Sequence, residues 1–339
     1  MRHIEEQVEK KALEYGYYSC GIIGVGEIAG FADILRERMK KAPGNDEFYS
    51  DFLRFDSLQE IYPWAKSLVV CVADYSKYKI PEKLNGVIGK HYLTDMRSNE
   101  GCKEYQASEA FENYLRSLGL QVETNRMRGV TAMRRAAEKA GLGIIRKNNF
   151  FYTDKGSWVH IEAFLTDREM ELKHTPTGEP CPENCGLCME ACPTKSLSAP
   201  HTMSPAICIS PLSVREDDLI NNPNSRFYGN WIYGCDTCQD ACPYNADNGT
   251  RTEEFPGLAE LADALSLESI VSMDEESLAD LLASRFFYIE RDRIWLWKLN
   301  ALNAMRGDPD GKYAEVIKTA MNDPNERVRR MARWVAGIV

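Results

Sequence analysis

Eight of the chain's 11 cysteines fall between Cys181 and Cys242. Thiols at that density serve either a disulfide framework or a metal site. The first residues, Met1-Arg2-His3-Ile4-Glu5-Glu6, carry no apolar signal core, so a cytoplasmic location is expected. Thiols stay reduced there, and the cluster reads as metal ligands. Cys185-x2-Cys188-x3-Cys192-Pro193 and Cys235-x2-Cys238-x3-Cys242-Pro243 repeat one spacing, with Cys181 ahead of the first copy and Cys208 between the two. That spacing is how ferredoxin-like loops wrap iron–sulfur cubes, and four thiolates per 4Fe-4S cluster make eight ligands for two clusters with none left over.

In two-cluster proteins the cysteine before proline ligates the opposite cube. The expected sets are therefore Cys181, Cys185, Cys188 and Cys242 for one cluster, and Cys192, Cys208, Cys235 and Cys238 for the other. Structural zinc held by four cysteines is the alternative for paired CxxC motifs, against which stands the proline directly after each run. The opening spacing, Cys181-x3-Cys185, is one residue longer than the usual x2, so a bulge at Pro182 is expected and Cys181 is the weakest of the eight assignments.

The elements that must position these thiols fall into three regions: an α/β domain over 1–172, a ferredoxin-like double-cluster domain over 173–249, and helices over 250–339. A helix over about Ile4–Tyr15 leads to an apolar strand near Tyr17–Gly24. Ser67–Ala73 is β-branched and uncharged, which predicts a central strand covered on both faces. Helices follow over about Cys102–Leu118 and Thr131–Ala140, each stopped by a glycine, and a last strand over Trp158–Leu165 precedes the Pro-rich segment Thr175-Pro176-Thr177-Gly178-Glu179-Pro180. The cysteine region has few long periodic runs, so metal rather than an apolar core is expected to stabilise it. Beyond it, Ser272-Met273-Asp274-Glu275 reads as a capping box, and helices are expected over about Asp292–Met305, Tyr313–Met321 and Glu326–Ala336. The last two resemble one HEAT-type hairpin, which cannot bury its own face and must dock on the rest.

Hydrophobic residues at 44% and charged residues at 27% describe an ordinary globular chain, and no apolar run is long enough to span a membrane. The net charge of −10 argues against broad polyanion binding. Arg327, Arg330 and Arg333 line one face of the last helix and are read as solvated. Gly24-Val25-Gly26-Glu27-Ile28-Ala29 has the form of a dinucleotide-binding turn, but Ala42-Pro43-Gly44-Asn45-Asp46 stands where a second strand ending in an acid belongs, so a plain strand-to-helix turn is expected. His3, His91, His160, His174 and His201 form no metal-binding pair.

On these motifs the chain resembles the epoxyqueuosine reductase family, whose core is similar to reductive dehalogenases. Glu138-Lys139-Ala140-Gly141-Leu142-Gly143-Ile144-Ile145-Arg146-Lys147-Asn148 looks like the family's EKAGLG-x-IGKN segment. Lys155–Trp158 with Leu165–Asp167, Ala206–Ser210, and the second cysteine loop through Asn245 match further family runs. The resemblance implies two 4Fe-4S clusters and a base-off cobalamin, the latter faced by Arg134, Lys147, Asn148, Ser157 and Ser210. It also implies an electron donor such as a flavodoxin or ferredoxin.

Two departures stand out. The family places an acid ahead of an arginine in a D-[ST]-A-P-x-x-E-R run; Arg134 matches the arginine, while Met127 or Arg128 occupies the acid's place. Asp95 and Glu100 are other acids, in a loop after Tyr92. Arg146 replaces a glycine, adding a cation expected near the cofactor pocket. The expected function is therefore a cobalamin-dependent iron–sulfur reductase of an unassigned small-molecule or nucleoside substrate, with no residue assigned as catalytic. One alternative is a tRNA epoxyqueuosine reductase with a substitute proton donor; another is a non-enzymatic electron-transfer or corrinoid-handling protein. Given the acidic total, tRNA is disfavoured as a partner.

Overall fold

Ser67–Ala73 is buried throughout, and a strand with no polar face belongs in the middle of a sheet. The structure, a computed structural model, describes residues 3–176, 178–246, 251–308 and 310–338. Its strands are β1 (Ser19–Gly24), β2 (Ser67–Asp74), β3 (Val122–Glu123), the two-residue hairpin of β4 (Ile144–Ile145) and β5 (Phe151–Tyr152), and β6 (Val159–Thr166). The main sheet runs β1-β2-β6-β3, with every pair antiparallel and β2 central as expected. Cys20 and Cys71 face each other across β1 and β2, and both are buried, as is Cys102 at the start of the helix Lys103–Ser117. These three cysteines are core residues.

After β1 the chain makes a 3-10 turn, Val25–Ile28, and an antiparallel partner follows. No parallel βαβ unit is formed there, so the glycine pattern at Gly24 and Gly26 is the plain turn. The helix expected over Thr131–Ala140 is shorter, Met133–Lys139, because residues 125–129 form a tight turn ahead of it. It is closed by Gly141, whose φ of +76 favours glycine and where a Cβ would lie 1.8 Å from the His174 carbonyl oxygen. That close approach keeps residues 172–174 against the sheet, where Leu172 pairs with Ile22 and the His174 N–H donates to Ala140.

The capping box expected from Ser272 resolves into two helices: Ser266 caps Leu267–Ser272, and Asp274 accepts from the Ser277 N–H to start Glu275–Leu282. Trp295–Met305 is buried on all sides, as a helix without a polar face should be. Asn300 donates to the Ser213 carbonyl (2.7 Å), Asn303 to the Ser225 carbonyl (2.9 Å), and Lys298 pairs with Asp323 (2.8 Å), while the Trp297 indole N–H and the two amide oxygens are buried without a hydrogen-bond partner. The last helix, Glu326–Val335, docks against it through Val328, Met331 and Ala332, and Ala314–Ala320 packs against that helix and against Leu267–Ser272.

One apolar core runs from the N-terminal sheet into these helices, and it includes Ile209, Val214, Tyr228, Trp231, Ile232 and Tyr233 from the cysteine region. Only Cys188, Cys192 and Leu197 form a separate small cluster there. The cysteine region thus leans on the shared core in its second half, more than its sparse periodicity suggested. The boundary expected between residues 249 and 250 lies outside the described residues, as does the side chain of His3.

Candidate functional site

Two short helices carry the cysteine motifs, Leu187–Ala191 and Thr237–Asp240, and they pack against each other. In each copy the last cysteine sits beyond the helix in extended backbone, φ −61 and ψ 115 at Cys192, φ −84 and ψ 120 at Cys242. The turn carries that thiol away from its own CxxC pair and toward the other one. Gly234 makes room before the second motif: its φ is +75, and a Cβ would lie 2.4 Å from the Tyr92 ring.

The thiols fall into two groups of electrostatic neighbours, around Cys188 and around Cys238. Burial pushes the Cys188 thiol up, and the charges that push it further are those of Cys181, Cys242 and Cys185. Burial pushes Cys238 well up, followed by Cys208, Cys235 and Cys192. Cys208 is raised to about 11 and Cys235 to about 12, again mainly by burial. Such thiols become thiolates when a cation shares their charge, which suits two four-cysteine cluster sites. Among the described residues no three or more His, Cys, Asp or Glu side chains converge on a point that could hold a single ion.

A cavity of about 600 Å³ opens beside the second group, and Cys192, Cys208, Cys235 and Cys238 all line it. Arg134, Asn148 and Ser210 line it too, so three of the five expected cofactor-facing residues come together there. Asn148 donates to the Tyr152 hydroxyl (2.8 Å) and the Cys238 carbonyl (3.3 Å), Ser210 lies 3.1 Å from the Tyr92 hydroxyl, and Arg134 donates to the Asn149 carbonyl. Adjoining hollows share Arg134 with this cavity.

The other two are committed elsewhere. Lys147 donates to the carbonyls of Pro182 (2.8 Å), Glu183 (2.7 Å) and Cys185 (2.9 Å), tying down the irregular loop after Cys181. Ser157 is buried between Gln239 and Asn245 and braces the second loop; it borders an adjoining hollow rather than the main cavity. A larger hollow of about 810 Å³ lies among the C-terminal helices, around Lys298 and Asp323, and no cysteine lines it.

Met127 and Arg128 lie in the turn before Arg134. The Met127 carbonyl accepts from Arg97 Nη1 (3.0 Å), and the same nitrogen donates to the Tyr288 hydroxyl at 3.3 Å. Tyr288 lines the cavity of the second cysteine group. Asp95 is no proton source: burial would raise its carboxyl, yet the Arg97 hydrogen bond and charge hold it at about 2. Glu100 is exposed and away from the cavity. Neither Arg97 nor Tyr288 carries a motif in the sequence, and only the fold brings them to Met127.

Arg146, expected near a cofactor pocket, does not line this cavity and points its guanidinium at Cys181, 3.7 Å away. In the last helix Arg327 pairs with Asp217 (2.9 Å) and Arg330 with Asp218 (3.9 Å), so that face is largely self-neutralised. Arg134, Arg215 and Arg293 line the cavity of the second cysteine group, where Glu290 is the one acid among the lining residues.

A family model for a 4Fe-4S double cluster binding domain matches residues 181–245. An epoxyqueuosine reductase from Synechococcus sp. is 33% identical over 178 residues, 51% of this chain and 53% of that protein. One from Cellulophaga algicola is 26% identical over 288 residues, covering 83% of this chain and 90% of that protein. The alignments with the Synechococcus and Prochlorococcus marinus relatives span about half of those proteins, 53% and 52%. Among solved structures, an epoxyqueuosine reductase with an epoxyqueuosine-modified tRNA-Tyr stem loop superposes with a TM-score of 0.78 at 23% identity, over 99% of this chain and 90% of that one. The Streptococcus thermophilus enzyme gives 0.73 at 21% identity, over 100% and 91%.

A protein of this fold is therefore solved holding a tRNA stem loop, which overturns the reading of tRNA as a disfavoured partner. The physical reason is that a net charge of −10 sums over the whole surface, whereas the cavity rim is locally basic. Among the described residues no helix is long and apolar enough to cross a membrane.

Proposed function

Because the chain is a divergent member of the epoxyqueuosine reductase family, we propose that it is a cytoplasmic oxidoreductase that removes the epoxide oxygen of epoxyqueuosine in tRNA, with a substitute proton donor. The observation that carries this reading is the shared cavity: the four cysteines of the second group, Arg134, Asn148, Ser210 and Tyr288 all line one space. Two 4Fe-4S clusters on the two cysteine sets, and a base-off cobalamin in the cavity, would supply the two electrons that break the C–O bond. A low-potential protein such as a flavodoxin or ferredoxin would deliver those electrons.

The chain's own residues do the rest. Arg134, Asn148 and Ser210 offer donors to corrin amides and to the phosphate of the nucleotide tail. Phe48, Phe52 and Phe150 give the cavity an apolar wall that keeps water from the reacting centre. Arg215 and Arg293 sit at its edge, where they meet tRNA phosphates.

The oxygen leaves as water, which requires two protons along with the two electrons. Tyr288 holds the first at its hydroxyl, beside the cavity, and its 44% exposure lets solvent reprotonate it to supply the second. Arg97 donates into that oxygen, so negative charge left as the proton departs is met by a fixed cation. Arg97 is itself anchored by Asp95 (2.6 Å) and by the Met127 carbonyl, so the donor stands next to the segment that bears the family's acid.

An anaerobic assay with reduced, cluster-loaded, cobalamin-loaded protein and epoxyqueuosine-containing tRNA tests the reading. Conversion to queuosine is expected. Absence of turnover with both clusters and cobalamin bound would assign the cavity to another substrate.

A further inference from the structure

Arg146 is only 4% exposed, and among the described residues its guanidinium makes no ion pair. Its Nε has no hydrogen-bond partner. The side chain is instead held between two rings, with its charge centre 3.4 Å from the Tyr244 centroid and 5.1 Å from that of Tyr152, and Nη1 directed at Cys181 Sγ. A buried cation without a counter-charge is among the most costly arrangements in a protein interior. The group within reach is Cys181, a thiolate once it ligates the first cluster, and Tyr244 stands two residues past Cys242, assigned to the same set.

We infer that Arg146 is the built-in counter-charge of the first cluster and raises its reduction potential. The inference rests on the two-cluster reading above. When that cluster takes one electron from a low-potential donor, no bond is made or broken and no proton moves; the iron–sulfur unit with its thiolates simply becomes one charge more negative. A fixed cation beside one ligand stabilises the reduced form more than the oxidised form, and hydrogen bonds to the sulfurs act in the same direction. Leu187 and Tyr244, both in the first set's loops, are 46% and 39% exposed, while the second set lines the inner cavity. The first cluster is thus the entry side, where a raised potential favours capture of the incoming electron. The longer spacing after Cys181 and the arginine at position 146 thus meet at one contact.

The test is a potentiometric titration of the reconstituted protein followed by electron paramagnetic resonance, on the wild type, R146Q and R146K. Iron and sulfide analysis of the wild type comes first: failure to hold two 4Fe-4S clusters would sink the two-cluster reading itself. With both clusters present, R146Q is expected to lower one midpoint by at least tenfold in the reduction equilibrium, about 59 mV for one electron, and to leave the other in place. R146K, which keeps the charge, is expected to stay within about twofold of the wild type. Unchanged midpoints in R146Q, or a full tenfold fall in R146K, overturn the inference. Should R146Q fail to retain the first cluster, the R146K titration alone decides by the same limits.

Discussion

The ammonium of Lys147 lies 2.9 Å from the carbonyl oxygen of Cys185, and it holds the carbonyls of Pro182 and Glu183 as well. One cation therefore gathers the loop that the extra residue after Cys181 makes irregular. Hydrogen bonds to a charged group are worth more than neutral ones, so K147M should lower stability by about 2 kcal/mol. It should also speed loss of iron from the first set under a chelator. Thermal unfolding and the rate of iron release check both, and an unchanged rate would show that the loop holds without its clamp.

Cys242 belongs to the second motif in sequence, its charge bears on Cys188 of the first motif, and the crossing assignment proposes it for the first set. C242A should therefore reduce iron from about eight to about four per chain while the second cluster's signal persists. Loss of the signal associated with Cys192, Cys208, Cys235 and Cys238 instead would reverse the crossing assignment.

The two cysteine motifs were legible because ligand spacing is local: three thiols within eight residues and a proline leave few ways to fold. β2 was legible because seven consecutive buried residues show no polar alternation. What stayed hidden was long-range. Lys147 and Ser157 lie in family-like runs, yet loop bracing rather than the cavity claims them, and only the fold reveals which carbonyls they meet. Arg97 and Tyr288 are 191 residues apart and unremarkable in sequence. The basic rim was masked because charge was counted over the chain, with the acids mostly elsewhere.

His91 and His160 stack with ring centroids 5.5 Å apart, next to Arg97. Burial lowers His91 to about 4 from an ordinary 6.5 and lowers His160 well below its ordinary value. The folded state thus prefers both rings neutral, and protonation favours unfolding. The contribution of His91 is complete above pH 6.5 and is lost as the pH falls through about 4. Denaturant titrations across that window should show the wild type losing stability faster than H91N. Parallel pH dependences in the two proteins would remove His91 from the account.

Tyr288 is the proposed proton source, so Y288F should cut turnover by about a hundredfold or more, the usual worth of a placed acid, with tRNA binding retained. R97K should follow it in part, because an ammonium cannot reach Asp95, the Met127 carbonyl and the Tyr288 oxygen together. A loss confined to KM in Y288F would make the ring a substrate contact and leave the proton donor elsewhere.

Arg215 and Arg293 offer the sharpest test of tRNA as the partner. Arg293 donates to the Arg215 carbonyl at 2.9 Å, and the Arg215 guanidinium stacks on Phe48 with 5.1 Å to the ring centroid. Both cations are therefore held at the cavity edge, without an ion pair among the described residues to neutralise them. Each phosphate contact releases condensed counterions, so affinity should fall with salt, and each lost contact should flatten that dependence by slightly less than one log unit per log unit of salt for a single strand, roughly 0.7. R215Q and R293Q should each weaken binding of a tRNA stem loop and reduce the salt slope by about that amount, while the iron content stays unchanged. R333Q, on the exposed face of the last helix, should leave the slope alone. If R333Q flattens the slope and the cavity-edge variants do not, the nucleic acid lies along the terminal helix, and the basic rim serves a smaller anion.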